Sequence, residues 1–141
     1  MEDLKRLYRD AIRDHAAHPV GYRAPIEATH RHEEYNPLCG DRVEILLRVG
    51  GGRIEQAAFD GEACAICRAS ASILCEQLSG QPPARLRTLR RQLEAALESP
   101  ETETGSEPEA LKPLLGVRSY PSRIRCATLP WIAADRALGD S

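Results

Sequence analysis

The chain has 141 residues, 42% hydrophobic and 28% charged, with a net charge of −2. That length suits one domain with a core that needs no disulfides, and the near-neutral charge offers no footing for nucleic acid or an anionic membrane surface. No apolar run nears the ~18 residues that span a bilayer, and the start Met1-Glu2-Asp3-Leu4-Lys5 lacks the apolar stretch of an export signal.

Residues 3–17 read as a helix, with Leu4, Leu7, Tyr8 and Ile12 at helical spacing and Pro19 and Gly21 as its stop. Residues 21–38 are irregular, with a weak strand signal over 26–35. Residues 42–49 alternate, with Val43, Ile45, Leu47 and Val49 on one face. Gly50-Gly51-Gly52 then turns the chain into a second, antiparallel strand over 53–60. An alanine-rich helix is expected from Cys64 to Leu78, with Gly80 just past its end. A second amphipathic helix runs over 84–98 through Leu86, Leu89, Leu93 and Leu97. Residues 99–108 are acidic and polar and read as an exposed loop inside a single 1–141 domain. A helical turn follows at Glu109–Leu115. The last helix starts near Pro121-Ser122 and reaches Leu138.

Five cysteines without an export signal read as metal ligands or reactive thiols in a reducing, cytoplasmic setting. Three lie in short motifs at element edges: Asn36-Pro37-Leu38-Cys39-Gly40-Asp41, Gly61-Glu62-Ala63-Cys64 and Arg125-Cys126-Ala127-Thr128-Leu129-Pro130-Trp131. Thiolates bind soft and borderline cations, and zinc takes carboxylate oxygen as well. Cys39 and Asp41, flanking Gly40 on a turn, can aim at one point. Cys64 falls at a helix N-terminus, where free N–H groups favour a thiolate. With Cys126 these make a closed set of four. Three ordinary buried thiols fit the same spacing.

The three motifs, with Phe59-x-Gly61-x-x-Cys64-x-Ile66-x-x-Ala69-Ser70-Ala71-Ser72, Asp14-His15 in the first helix and Pro19 just after it, resemble the IscU/SufU/NifU-N family of iron–sulfur cluster assembly proteins over nearly the whole chain. The resemblance implies an α+β fold, with a small antiparallel sheet of about three strands packed with helices and a metal site at one end. It implies a cysteine desulfurase as partner. The long gap from Cys64 to Cys126, and Arg125 where IscU scaffolds carry a histidine ligand, point within the family to the SufU branch. Arginine cannot bind a metal. By this resemblance Cys39, Asp41, Cys64 and Cys126 hold zinc, and Cys39 accepts sulfur from a SufS-type desulfurase. The alternative it implies is a scaffold that builds a 2Fe–2S cluster, or holds iron, on the same cysteines and hands it to apo acceptor proteins.

Two departures stand out. Ala63 replaces a glycine usual in the family, which strains the chain if that position needs a positive φ. Cys67 stands where many relatives have serine. It reads as a small buried residue or as a spare ligand, persulfide relay or redox partner of Cys64. Cys75, about two turns further on, reads as core. Glu33-Glu34, His30-x-His32 and Arg90-Arg91 read as solvated surface. Trp131 and Tyr120 read as core packing near the site or as partner docking. Arg125 would steady a persulfide or pair with an acid.

Overall fold

The computed structural model describes residues 2–99 and 108–139, with side chains from residue 5 onward. The order is α1 (Glu2–Ala17), β1 (His30–Asn36), β2 (Asp41–Gly50), β3 (Arg53–Glu62), α2 (Ala65–Leu78), α3 (Pro83–Glu98), a run of 3₁₀ turns over Glu109–Ser119, one further 3₁₀ turn at Pro121–Arg123, and α4 (Ile124–Leu138). The α+β architecture expected from the sequence is therefore present. Of the loop expected at 99–108, residues 100–107 lie outside the described residues.

The sheet is an antiparallel meander in the order β1-β2-β3. The weak signal before Asn36 is a true strand, pairing His30 with Leu47 through to Asn36 with Asp41. Its pattern is faint because its buried positions are Glu34 and Asn36 rather than apolar residues. The β2–β3 turn is Gly51-Gly52, at φ +60 and +76. Two consecutive left-handed residues make the tight hairpin turn whose twist matches the strands. Tyr22 bridges to Phe59 on the outer edge of β3, so the segment after α1 lies along that edge.

Val43, Ile45 and Leu47 on β2 face the core, where α4 packs across β1 and β2. Residues Cys126 to Ala134 of α4 are all buried. A helix wet on no side must be apolar nearly all round, and this one lies between the sheet, α2 and α3. Pro130 has no N–H to return to the Cys126 carbonyl, so the helix lacks one rung at the turn that carries this cysteine. α1 packs on α2 and on the 3₁₀ run. Leu7, expected on the inward stripe of α1, is 63% exposed. Ile12 does pack against the core.

The Ala-Ser-Ala-Ser run of α2 owes its small side chains to close packing. Ser70 Oγ donates to the Ala127 carbonyl and accepts the Trp131 indole N–H at 2.9 Å. Ser72 Oγ meets His15 Nδ1 at 2.7 Å and accepts the Val20 amide at 2.8 Å. One serine thus ties α2 to α4, the other to the end of α1. Ser70→Ala leaves an indole donor and a carbonyl unsatisfied in the core, and is expected to cost about 1–3 kcal/mol in urea unfolding. A variant with the wild-type midpoint would show that the two groups find other partners. Trp131 is fully buried, which selects core packing over docking for it, whereas Tyr120 is 65% exposed.

Glu34 corrects the reading of Glu33-Glu34 as solvated surface. It is 8% exposed, accepts from His32 Nε2 at 2.7 Å and pairs with Arg136 at the far end of α4. Glu33 pairs with Arg42 at 2.8 Å on the outer surface. His32 lies on the strand, not in a loop. Arg90 is likewise no free surface charge, since it reaches Asp135 on α4 at 2.8 Å, while Arg91 is exposed. Burial raises the Glu34 carboxyl, but hydrogen bonds from Arg136 and His32 outweigh it and hold the group below the ordinary glutamate value. A depressed folded value stabilises the fold fully above the unfolded value of about 4.3 and loses that contribution as pH falls through the lower folded value. Melting curves of wild type and Glu34→Gln should therefore differ near pH 7 and converge as pH falls below the lowered folded value. A gap that persists in acid would contradict the ionised pairing.

Candidate metal centre

The β1–β2 hairpin carries the first two candidate ligands. Its four loop residues, Pro37 to Gly40, are closed by Asn36. The Asn36 carbonyl accepts the Gly40 amide at 2.8 Å and its side-chain oxygen accepts the Leu38 amide at 3.1 Å. Gly40 sits at φ +77, where an L side chain is strained, although nothing lies within 4 Å of the space a Cβ would fill. That left-handed residue lets the chain leave the exposed Cys39 and enter β2 at Asp41, which is only 3% exposed. Leu38 beside it is 91% exposed.

Cys64 is the N-cap of α2, with extended backbone angles. Asp41 holds it by both ends of one carboxylate. Oδ1 accepts the Cys64 amide at 2.7 Å, and Oδ2 lies 3.2 Å from the Cys64 sulfur. That sulfur also receives the Cys67 amide at 3.5 Å, as a side chain capping a helix start does. Cys126, in the first turn of α4, brings its sulfur to 3.7 Å from Cys39. The ligand atoms of Cys39, Asp41 and Cys126 all lie within 4.8 Å of one another. Cys64 stands just outside that mutual set but touches it through Asp41. Three elements distant in sequence therefore converge on one carboxylate.

The electrostatics are those of crowded acids. Burial raises the Asp41 carboxyl, but the Cys64 amide and the Cys39, Cys64 and Cys126 thiols outweigh it and keep it below its ordinary value. Burial pushes the Cys64 thiol up, the Cys67 amide offsets part of this, and the negative charge of Asp41 adds to it. The Cys126 thiol is pushed up by burial and by Cys64, Cys39 and Asp41 around it. A divalent cation inverts this balance, since it favours every one of these groups in its charged form. Three sulfurs and one carboxylate oxygen form a donor set that zinc takes in tetrahedral arrangement.

The other cysteines lie inward. Cys67 is fully buried, directly behind Cys64 on the first turn of α2. Cys75 is buried in the core, its thiol pushed up to about 12 by burial, and Gly21 packs against its sulfur. The concern over Ala63 resolves, because among the described residues Arg23 alone is a non-glycine at positive φ. The left-handed backbone lies two residues earlier, at Gly61, φ +136, where a Cβ would fall 2.1 Å from the Arg42 carbonyl oxygen. Arg125 is exposed, and no acidic partner meets it among the described residues. Gly61 and Asn36 belong to the motifs already noted, yet their structural tasks are visible only once β2 and β3 are paired.

A protein-family model for the NifU-like N-terminal domain matches residues 7–136. The chain is a NifU-like N-terminal domain. This places it in the IscU/SufU/NifU-N family of iron–sulfur cluster assembly proteins. The NifU-like domain is 29% identical over 136 residues to the zinc-dependent sulfurtransferase SufU of Bacillus subtilis, covering 96% of this chain and 92% of that protein. It is 27% identical over 138 residues to the iron–sulfur cluster assembly scaffold protein IscU of Streptococcus pyogenes, covering 98% and 86%. Among solved structures, the domain superposes with a TM-score of 0.79 and 26% identity on an iron–sulfur cluster assembly scaffold protein for the SUF system from Fervidobacterium islandicum, covering 92% of this chain and 94% of that one. No helix among the described residues of the NifU-like domain is long and apolar enough to cross a membrane.

Proposed function

We propose that this chain is a zinc-dependent sulfur acceptor, working as one cytoplasmic domain, that takes persulfide sulfur from a SufS-type cysteine desulfurase for iron–sulfur cluster assembly. One observation carries the reading: Cys39, Asp41 and Cys126 offer ligand atoms within 4.8 Å of one another, with Cys64 held by the same carboxylate. The likeness to the Bacillus subtilis zinc-dependent sulfurtransferase supports it. Cys39, Asp41, Cys64 and Cys126 would hold the zinc, which when bound supplies charge that keeps the sulfurs as thiolates at neutral pH.

The protein's own residues divide the remaining work. Cys39 is the exposed sulfur of the set, on a loop beside an exposed Leu38, so a partner's persulfide can reach it. The Cys39 thiolate attacks the outer sulfur of the donor persulfide. A new S–S bond forms at Cys39, the donor's S–S bond breaks, and the donor cysteine leaves as thiolate. Asp41 positions Cys64 through amide and thiol together, and Cys126 is fixed by the core helix. Asp41 is a harder ligand than cysteine, so it binds zinc less tightly than a fourth thiolate.

The second reading is a scaffold that assembles a 2Fe–2S cluster on the same cysteines and transfers it to apo-proteins, as the names of the IscU relatives suggest. Arg125, with no lone pair to offer, weighs against it. Metal analysis of protein purified without oxygen separates the two. Sulfur transfer predicts one zinc per chain and no visible absorption. A brown protein with iron and acid-labile sulfide would replace this reading by the scaffold.

A further inference from the structure

One cation of the NifU-like domain, close to the metal centre, has no acid to balance it. Arg68 lies one turn beyond the N-cap of α2, and its amide donates to the Cys64 carbonyl at 2.9 Å. Residues four apart share one helix face, about 6 Å apart along the axis. The Arg68 guanidinium lies over the Tyr22 ring, 5.1 Å from its centre, and the Arg23 guanidinium lies over the same ring at 5.0 Å. Arg23 is exposed and paired, its Nε 2.9 Å from Asp60. Its backbone is left-handed, at φ 53, which an arginine holds only at some cost. Arg68 is half-buried, and no hydrogen bond or ion pair reaches its side chain among the described residues. Its Nε is shut from solvent without an acceptor. A buried charged donor left without an acceptor is costly, so this one suits an acceptor that comes from outside the chain.

We infer that Arg68, laid on Tyr22 beside Arg23, is a docking point for a carboxylate of the sulfur donor, an aspartate or glutamate side chain on the desulfurase surface. The inference rests on the sulfur-acceptor reading above and adds a contact to it. The two oxygens of a carboxylate match the Nε and Nη fork of a guanidinium. A ring against that fork fixes its plane in advance, so less freedom is lost on docking. The charge also selects the ligand. With Arg23 already matched by Asp60, one positive charge is left over, which suits a carboxylate better than the near-double charge of a phosphate group. The position agrees with this. A standard interface covers about 800 Å² on each partner, a patch about 16 Å in radius. A donor centred on Cys39 therefore has the reach to cover Arg68, one helical turn from Cys64.

Calorimetric titration of the zinc-loaded protein with a SufS-type cysteine desulfurase tests this, with sulfur uptake followed separately by intact mass. Arg68→Gln should raise the dissociation constant about tenfold or more, as for loss of a charge-assisted pair, and flatten its dependence on salt. Its zinc content should stay at the wild-type value. Arg68→Lys, which keeps the charge but not the fork, should recover only part of the affinity. A wild-type dissociation constant in Arg68→Gln would overturn the inference. If inorganic phosphate then bound wild type but not that variant, the cation would serve an oxyanion instead. Weaker binding that comes with lost zinc would make Arg68 a structural residue and overturn the inference as well. Wild type that binds the desulfurase but gains no sulfur would remove the sulfur-acceptor reading, while the comparison with Arg68→Gln would still decide the docking contact. Wild type that does not bind the desulfurase would overturn both.

Discussion

Cys39→Ala is expected to abolish sulfur uptake from a cysteine desulfurase while leaving the protein folded. The nucleophile of a group transfer has no substitute in the transition state, and its loss drops rates by roughly 10²-fold or more. The other sulfurs of the centre cannot take over. Cys126 and Cys67 are buried, and Cys64 is half-buried against Asp41. The metal-free fold should hardly notice, since Cys39 is exposed and, apart from any bound metal, surface substitutions cost within about 0.5 kcal/mol. Intact-mass measurement after incubation with desulfurase and cysteine reads the result directly. Wild type gains the mass of added sulfur, and the variant does not, with the melting temperatures of the two metal-free proteins unchanged. A variant that still gains sulfur would remove Cys39 as the acceptor.

Gly61→Ala is the substitution expected to damage the fold and the centre together. A Cβ at residue 61 would sit 2.1 Å from the Arg42 carbonyl oxygen and 3.0 Å from the Val43 Cα, on backbone at φ +136. The clash is with main chain, so no side chain can swing aside. Residue 61 pairs with Val43, and its neighbours Glu62 and Arg42 pair just beyond Asp41. To admit the methyl group β2 and β3 must part at the end that sets Asp41 against Cys64. Strained φ and overpacking each cost about 1–3 kcal/mol, which together suggests about 3 kcal/mol or more. Urea unfolding and metal content should fall in parallel. A wild-type midpoint with a full metal complement would show that the strands yield there at little cost.

Much of this was legible in the chain because the signals were local. Val43-x-Ile45-x-Leu47 and the triple glycine specified a hairpin, and alanine-rich and leucine-spaced runs specified helices. The three cysteine motifs named the groups that the fold gathers. What escaped depended on pairing across long distances. Glu34 looked like surface because its companion Arg136 is 102 residues away. β1 looked irregular because its inward residues are polar: Glu34 pairs with Arg136 on α4, and Asn36 closes the loop that follows it. Concern fell on Ala63 because sequence cannot assign φ, and the left-handed residue proved to be Gly61. Ser70 and Ser72 stand in the sequence only as part of the Ala69-Ser70-Ala71-Ser72 motif, and their hydroxyls bridge helices that are remote in sequence. Charge pairs and hydrogen bonds between distant segments leave no periodic trace, whereas hydrophobic alternation does.

The loop that bears Cys39 is four residues long and is closed by two hydrogen bonds that its Leu38 and Gly40 amides donate to Asn36. A sulfur on so short a leash cannot sweep between distant stations as a long tethered arm does. On the proposed sulfur-acceptor function, the whole protein would travel with its cargo and meet donor and recipient in turn, face to face at the same end. On that proposal donor and recipient would compete for one landing site.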